Sequence, residues 1–312
     1  MVGSGDDWDR MLRILGWAHS QYPNQNPRHW PKPESAFEIL KNAENGYYDH
    51  CDSKGILLVQ ALLSAGYTAR YVEYSDFHAA NFPDSNHGFA EVWIDRLQKW
   101  AILDPSFNSY YEKEGVPLNC LDIHNLYLAS GNQTVPGPDG YMDLGLVRPV
   151  ENQYQKDKYP HFELEKFRER TFYYFSICMR NDFMSKNLRP EDPGYYINRH
   201  RTHWSFLDRR CGRRPLFQNQ TADPSDLYWD INWTWMAFKK ADTGLKVYFE
   251  VNMPSFAFLE VQCNGRQLKI SEHQYPSPHM IWELKKGKNL LRATAVNVRG
   301  VRGRTVSAEI EL

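Results

Sequence analysis

The chain has almost no net charge: 37 Lys and Arg stand against 38 Asp and Glu over 312 residues. Without a cationic surplus there is no field to gather nucleic acid or an anionic membrane surface, so binding to either is disfavoured and no nucleic-acid partner is expected. Long hydrophobic runs are missing too. No window of about 18 uninterrupted apolar residues occurs, so no membrane-spanning helix is expected. The opening MVGSGDDWDR has neither a basic stretch nor an apolar one, so no signal peptide is expected, and the chain reads as soluble with its compartment left open. Cysteine is scarce. Cys51, Cys120, Cys178, Cys211 and Cys263 are odd in number, widely spaced and free of any CxxC pair, which argues against a disulfide framework or a zinc knuckle. His50, Asp52 and His78 lack paired ligand spacing, so neither a metal nor a cofactor is expected.

Aromatics are abundant: 10 Trp, 19 Tyr and 16 Phe suit packed cores and flat apolar clefts and argue against disorder. The length allows two cores of ordinary domain size. Residues 8 to 20 carry Trp8, Met11, Leu12, Ile14, Leu15 and Trp17 at helical spacing, which predicts an amphipathic helix. Ser35 caps a second, short helix that stops at Gly46. The run from Ile56 to Leu63 is apolar almost all round, which predicts a helix buried on most of its surface and ended by Gly66. TARYVEY, GFAEVWI and KWAILDPS then read as strands, the last two forming a hairpin joined by DRLQ. Residues 131 to 150 are loop-like and mark a boundary. From Leu227 onward seven short alternating segments, with a hairpin signal at Asn264-Gly265, read as a β-sandwich.

Cys51 stands where a loop becomes the buried helix. A helix N-terminus offers unpaired N–H groups and partial positive charge, both of which favour a thiolate over a thiol. Acyl chemistry also needs a proton carrier, and histidine suits that task near neutral pH. His87 stands at the entrance of GFAEVWI and Asp104 at the exit of KWAILD. A tight turn centred on Asp95 and Arg96 sets His87 directly opposite Asp104; a turn one residue later makes them diagonal neighbours. Either register lets the carboxylate orient the imidazole. Gly55, one turn after Cys51, leaves room for the hairpin to approach. Arg70 is expected to pair structurally with a carboxylate.

The run GYYDHC before a buried helix, LLSAGYTARYVEY, NHGFAEVWI and KWAILDPS, over roughly residues 8 to 128, closely resembles the transglutaminase-like superfamily. The resemblance implies an α+β fold of the papain type, with Cys51 as the acyl-accepting nucleophile, His87 its base and Asp104 the orienting acid. It also implies an oxyanion-hole donor upstream of Cys51; Trp17, Gln21, Trp30 and Asn45 are candidates, with the Cys51 backbone N–H as the other half. AGYTARYVEY is similar to the peptide N-glycanase branch as well, although that branch's zinc cysteines are missing.

The expected architecture is a transglutaminase-like catalytic domain over residues 1–150, an aromatic-rich connecting region over 151–222 that packs on both domains, and an immunoglobulin-like β-sandwich over 223–312 as an accessory domain. The expected function is a cysteine-dependent amide-bond enzyme, a peptidase, amidase or acyl transferase, working through a thioester on a peptide, protein or glycopeptide. Water is favoured as acceptor, because transfer to an amine needs a second, dry pocket. The alternative is a non-catalytic glycan- or peptide-binding protein on the same scaffold.

Overall fold

In the computed structural model, residues 6–21, 35–45, 51–75, 86–129, 146–150, 174–178, 203–206, 219–271 and 278–312 are described. The chain divides into two compact units, Met1–Tyr228 and Trp229–Leu312.

The first two helices start where the sequence supplies a cap. Helix α1 (Asp7–Ser20) is capped by Asp6, whose Oδ1 accepts from the Asp9 N–H at 2.9 Å. Helix α2 (Ala36–Glu44) is capped by Ser35, which accepts from the Glu38 N–H at 3.3 Å, while Gly46, its expected stop, lies outside the described residues. Helix α3 (Cys51–Ser64) buries Ile56, Leu57, Leu58, Val59 and Leu62. It ends at Gly66, whose φ of 85° is open to glycine at little cost. There Gly66 N–H donates to Leu63 O and Tyr67 N–H to Leu62 O, each at 2.9 Å, which satisfies the last carbonyls of the helix.

Strands β1 (Ala69–Ser75), β2 (Asn86–Ile94), β3 (Lys99–Asp104), β4 (Ser109–Lys113) and β5 (Val116–Pro117) follow, then helix α4 (Cys120–Ala129) and β6 (Val147–Pro149). From the connecting region come β7 (Tyr174–Cys178), β8 (His203–Phe206) and β9 (Asn219–Thr221). The sheet runs β5-β4-β3-β2-β1-β7-β8-β9, with β6 also paired to β4. All pairs are antiparallel except β8 with β9. The short strands β7 to β9 thus extend the first sheet. Most of residues 151–222 lie outside the described set, and so does the expectation that this region packs on both domains.

The sheet is covered on both faces. One core joins α1, α2 and α3 to Tyr71, Ala90, Val92, Ala101 and Leu103. The other sets Val72, Phe89, Ile102, Phe175 and Ile177 against Cys120 and Ile123 of α4. The alternation along β1 to β3 follows the two-residue period of a strand.

In the hairpin, Ala90 pairs with Leu103 and Ile94 with Lys99. The turn is therefore centred on Arg96 and Leu97, one residue later than the directly opposed register requires. Asp95 to Gln98 form a four-residue loop, closed by Leu97 N–H to Ile94 O at 3.1 Å and by Gln98 at φ 50°. His87 and Asp104 are consequently diagonal neighbours, on the same face as Phe89 and Ile102.

The second unit contains β10 (Trp233–Ala241), β11 (Gly244–Asn252), β12 (Phe256–Cys263), β13 (Arg266–Ser271), β14 (His279–Trp282), β15 (Lys288–Asn297) and β16 (Val306–Glu311). They form two antiparallel sheets, β10-β11-β14 and β13-β12-β15-β16. Val247, Phe249 and Trp282 from the first, with Leu259, Val261, Leu291 and Ala293 from the second, make one core. The Asn-Gly turn lies at φ 46° and 83° between the paired Cys263 and Arg266, the left-handed conformation that the dipeptide favours. Leu227 and Tyr228 are not part of β10: Leu227 is buried in the first unit's second core, with Tyr228 packed against it. Among the described residues no helix is long and apolar enough to cross a membrane.

Candidate active site

Cys51 is the first residue of α3, half-buried, with Sγ 3.6 Å from Asp52 Oδ1. That same carboxylate oxygen lies 3.0 Å from Tyr71 Oη, which is also 3.2 Å from Glu73 Oε1; the single hydroxyl proton serves one acceptor at a time. Two glycines make this approach possible. A Cβ on Gly88 would sit 2.1 Å from Tyr71 Oη and 2.9 Å from Asp52 Oδ1. One on Gly55 would sit 2.8 Å from Tyr71 Cε2 and 3.2 Å from the Phe89 backbone nitrogen. The start of α3 therefore packs directly on the backbone of β2 beside His87.

His87 is buried, and its Nε2 lies 2.7 Å from Asp104 Oδ2. Asp104, fully buried, has its other oxygen filled by the Ser106 N–H at 2.9 Å. With Nε2 engaged, Nδ1 is the ring nitrogen left for Cys51, which also acts to hold the His87 proton. Tyr74, Phe107 and Phe89 surround the ring at centroid distances of 5.5, 5.3 and 5.8 Å, which removes competing water. Burial works against the imidazolium. The charge of Asp104, its hydrogen bond, and the bond and charge of Cys51 outweigh that, so the His87 pKa is pushed up to about 10. At neutral pH the ring holds a proton between an anionic carboxylate and a sulfur.

The structure thus brings Cys51, His87 and Asp104 together. It also places two side chains there that the sequence reading passed over. Lys54 is buried, and the charges of Asp104 and Cys51 act on it. His19, on α1, faces Lys54 and Asp104, and its Nδ1 meets the Pro105 carbonyl at 2.8 Å. For Lys54 a signal existed: it is a lone cation in the first turn of a helix otherwise apolar enough to be buried all round. For His19 there was none, because its role depends on where α1 docks.

The other candidates fall elsewhere. Gln21 Nε2 donates to Trp17 O at 3.0 Å and to Ser20 Oγ at 3.2 Å, and Asn45 Nδ2 donates to Lys41 O at 2.9 Å, so both amides are occupied at their own helix ends. Trp17 packs partly buried against the first core, and Trp30, His50, His78 and Cys211 lie outside the described residues. Arg70 is structural. It pairs with Glu91 Oε2 through Nε at 2.9 Å and Nη2 at 2.7 Å, donates to Leu227 O at 2.6 Å, and stacks on Trp100 and Tyr228. Burial, with Glu91 beside it, pushes the Cys120 thiol well up, and burial raises Cys263 too. Among the described residues no group of three or more His, Cys, Asp or Glu could hold a metal ion.

Residues 1–105 match the model of the transglutaminase-like superfamily, a span that contains Cys51, His87 and Asp104. This part of the chain is transglutaminase-like. No curated protein matches the sequence. Among solved structures, red sea bream transglutaminase is similar at 11% identity and a TM-score of 0.30, over 98% of this chain and 54% of that one. The chain therefore spans about half the length of that protein.

Proposed function

We propose that the chain is a cysteine-dependent enzyme acting on amide bonds, with Cys51 as nucleophile, His87 as proton carrier and Asp104 as the group that orients and charges His87. The observation that carries this reading is the buried His87–Asp104 hydrogen bond of 2.7 Å beside a cysteine at a helix N-terminus. On this reading Sγ attacks the substrate carbonyl carbon and the carbonyl oxygen becomes an oxyanion, which the Cys51 N–H faces. Collapse of this intermediate breaks the C–N bond. The departing amine takes the Nδ1 proton of His87, leaving a thioester on Cys51. His87, now neutral, accepts a proton from water as water attacks the thioester, and the carboxylic acid leaves as Sγ is regenerated. An amine acceptor follows the same path and makes a new amide; water is favoured, since it needs no second pocket.

The fold reading that accompanies this is a papain-like catalytic unit followed by an immunoglobulin-like sandwich. Its sheets group the first, second and fifth strands against the fourth, third, sixth and seventh. The substrate class is a peptide, protein or glycopeptide. Incubation of the full chain with peptide and glycopeptide libraries, read by mass spectrometry of the products, tests the reading. Cleaved or transamidated products that vanish in Cys51→Ala are expected. Products formed equally by both proteins would remove Cys51 from the reaction.

A further inference from the structure

Lysine is among the side chains least often buried, because an ammonium removed from water must be offset by anions. Lys54 is only 6% exposed. It stands three residues after Cys51, close to one turn along α3. Groups on three elements act on this cluster electrostatically: Cys51 and Asp52 of its own helix, Asp104 at the end of β3, and His19 of α1. His87 of β2 meets the same Asp104. Asp104 is therefore a single buried carboxylate serving two cationic side chains. Asp52, whose Oδ1 lies 3.6 Å from the Cys51 sulfur, puts a second carboxylate at the helix start, so any negative charge on that sulfur stands beside an acidic side chain and depends on the cations around it.

We propose that Lys54 is a positioning residue of the site, a second buried cation beside His87 that stabilises negative charge on Asp104 and on the Cys51 sulfur. This rests on the reading of Cys51 as nucleophile. A purely structural lysine stem would be replaced by any unbranched apolar side chain without consequence for the sulfur. Burial itself favours the neutral amine and lowers the Lys54 pKa, while Asp104 and then Cys51 act against that. The ammonium is thus sensitive to the charge on its neighbours, and by reciprocity they are sensitive to it.

The test is the rate at which iodoacetamide labels Cys51 in the full chain between about pH 5 and about pH 9, since the thiolate is the species that reacts. Lys54→Met keeps the unbranched stem and removes the charge; Lys54→Gln does the same with a polar end. In both, the midpoint of the profile is expected to move up by about one pH unit, and labelling below the midpoint to slow by about tenfold. Profiles that superimpose on the parent's would overturn the proposal. If neither variant folds, the reciprocal measurement needs no substitution: the Lys54 side chain is titrated by NMR in lysine-labelled protein before and after Cys51 is capped. Capping removes the anion, so Lys54 is expected to titrate lower; an unmoved titration overturns the proposal. A parent chain in which Cys51 does not label at any pH overturns the nucleophile reading and this inference with it. Labelling with an unmoved profile removes Lys54 alone.

Discussion

Replacing Asp104 by Asn keeps a polar group of the same size beside His87 and takes away the charge, and its main consequence is a change in how stability depends on pH. In the parent, His87 is raised from 6.5 to about 10, so between these values the folded chain holds a proton that the unfolded chain has released. Stability from this pair is fully present below about pH 6.5 and is lost as pH rises toward 10, at up to about 1.4 kcal/mol per pH unit. From pH 7 to pH 9 the loss is about 2 to 3 kcal/mol. In Asp104→Asn the largest remaining influence on His87 is burial, which lowers its pKa below 6.5. The sign then reverses. The imidazole is neutral in both states above about pH 7, the slope there vanishes, and stability instead falls as pH drops through the unfolded value. Made in a Cys51→Ser background, the comparison removes the thiol's own titration and its share of the rise at His87, so the loss there is expected to be smaller and the sign reversal to remain. Urea-dependent hydrogen exchange in peptides spanning residues 51–64 and 86–104 reports on the first unit alone. Equal pH dependence in the two proteins between pH 7 and pH 9 would refute the argument that Asp104 holds the His87 proton.

Gly88→Ala inserts a methyl group 2.1 Å from Tyr71 Oη and 2.9 Å from Asp52 Oδ1, so α3 or the hairpin must shift. A cost of about 1 to 3 kcal/mol is expected, seen as a lower urea midpoint together with slower Cys51 labelling, and an unchanged midpoint would contradict the packing described. Residues 229–312 should express as a cooperatively folding β protein, because their two sheets close one core without help from the rest of the chain. Far-ultraviolet circular dichroism through a thermal melt decides this, and a fragment without a cooperative transition would contradict it.

Much of the fold was legible because each signal was local. The all-apolar run from Ile56 to Leu63 became the buried α3, Gly66 ended it at positive φ, and Asn264-Gly265 made the turn it favours. Cys51, His87 and Asp104 were legible because the two hairpin arms and the helix start set them a few residues from fixed landmarks. The hairpin register was not decided by sequence, since Asp95 to Gln98 hold no Gly or Asn, and Gln98 takes positive φ only because the loop closes that way. Strands β7 to β9 were missed because segments of three to five residues carry too little periodicity to name distant partners. Leu227 and Tyr228 continued the alternation of β10 in sequence, yet the Arg70–Glu91 pair draws them into the first unit, where Arg70 meets Leu227 O and Tyr228 Oη meets Glu91 Oε1 at 2.8 Å. Lys54 was passed over because a charged residue in a first turn ordinarily reads as solvated.

The most direct test of the nucleophile is rapid acid quenching of the full chain during turnover of a peptide or glycopeptide substrate, followed by digestion and mass spectrometry of all five cysteine peptides. An acyl adduct on Cys51 alone, formed before free product accumulates and absent from His87→Ala, is the predicted result; turnover with Cys51 unmodified, or with activity retained in Cys51→Ala, would contradict it.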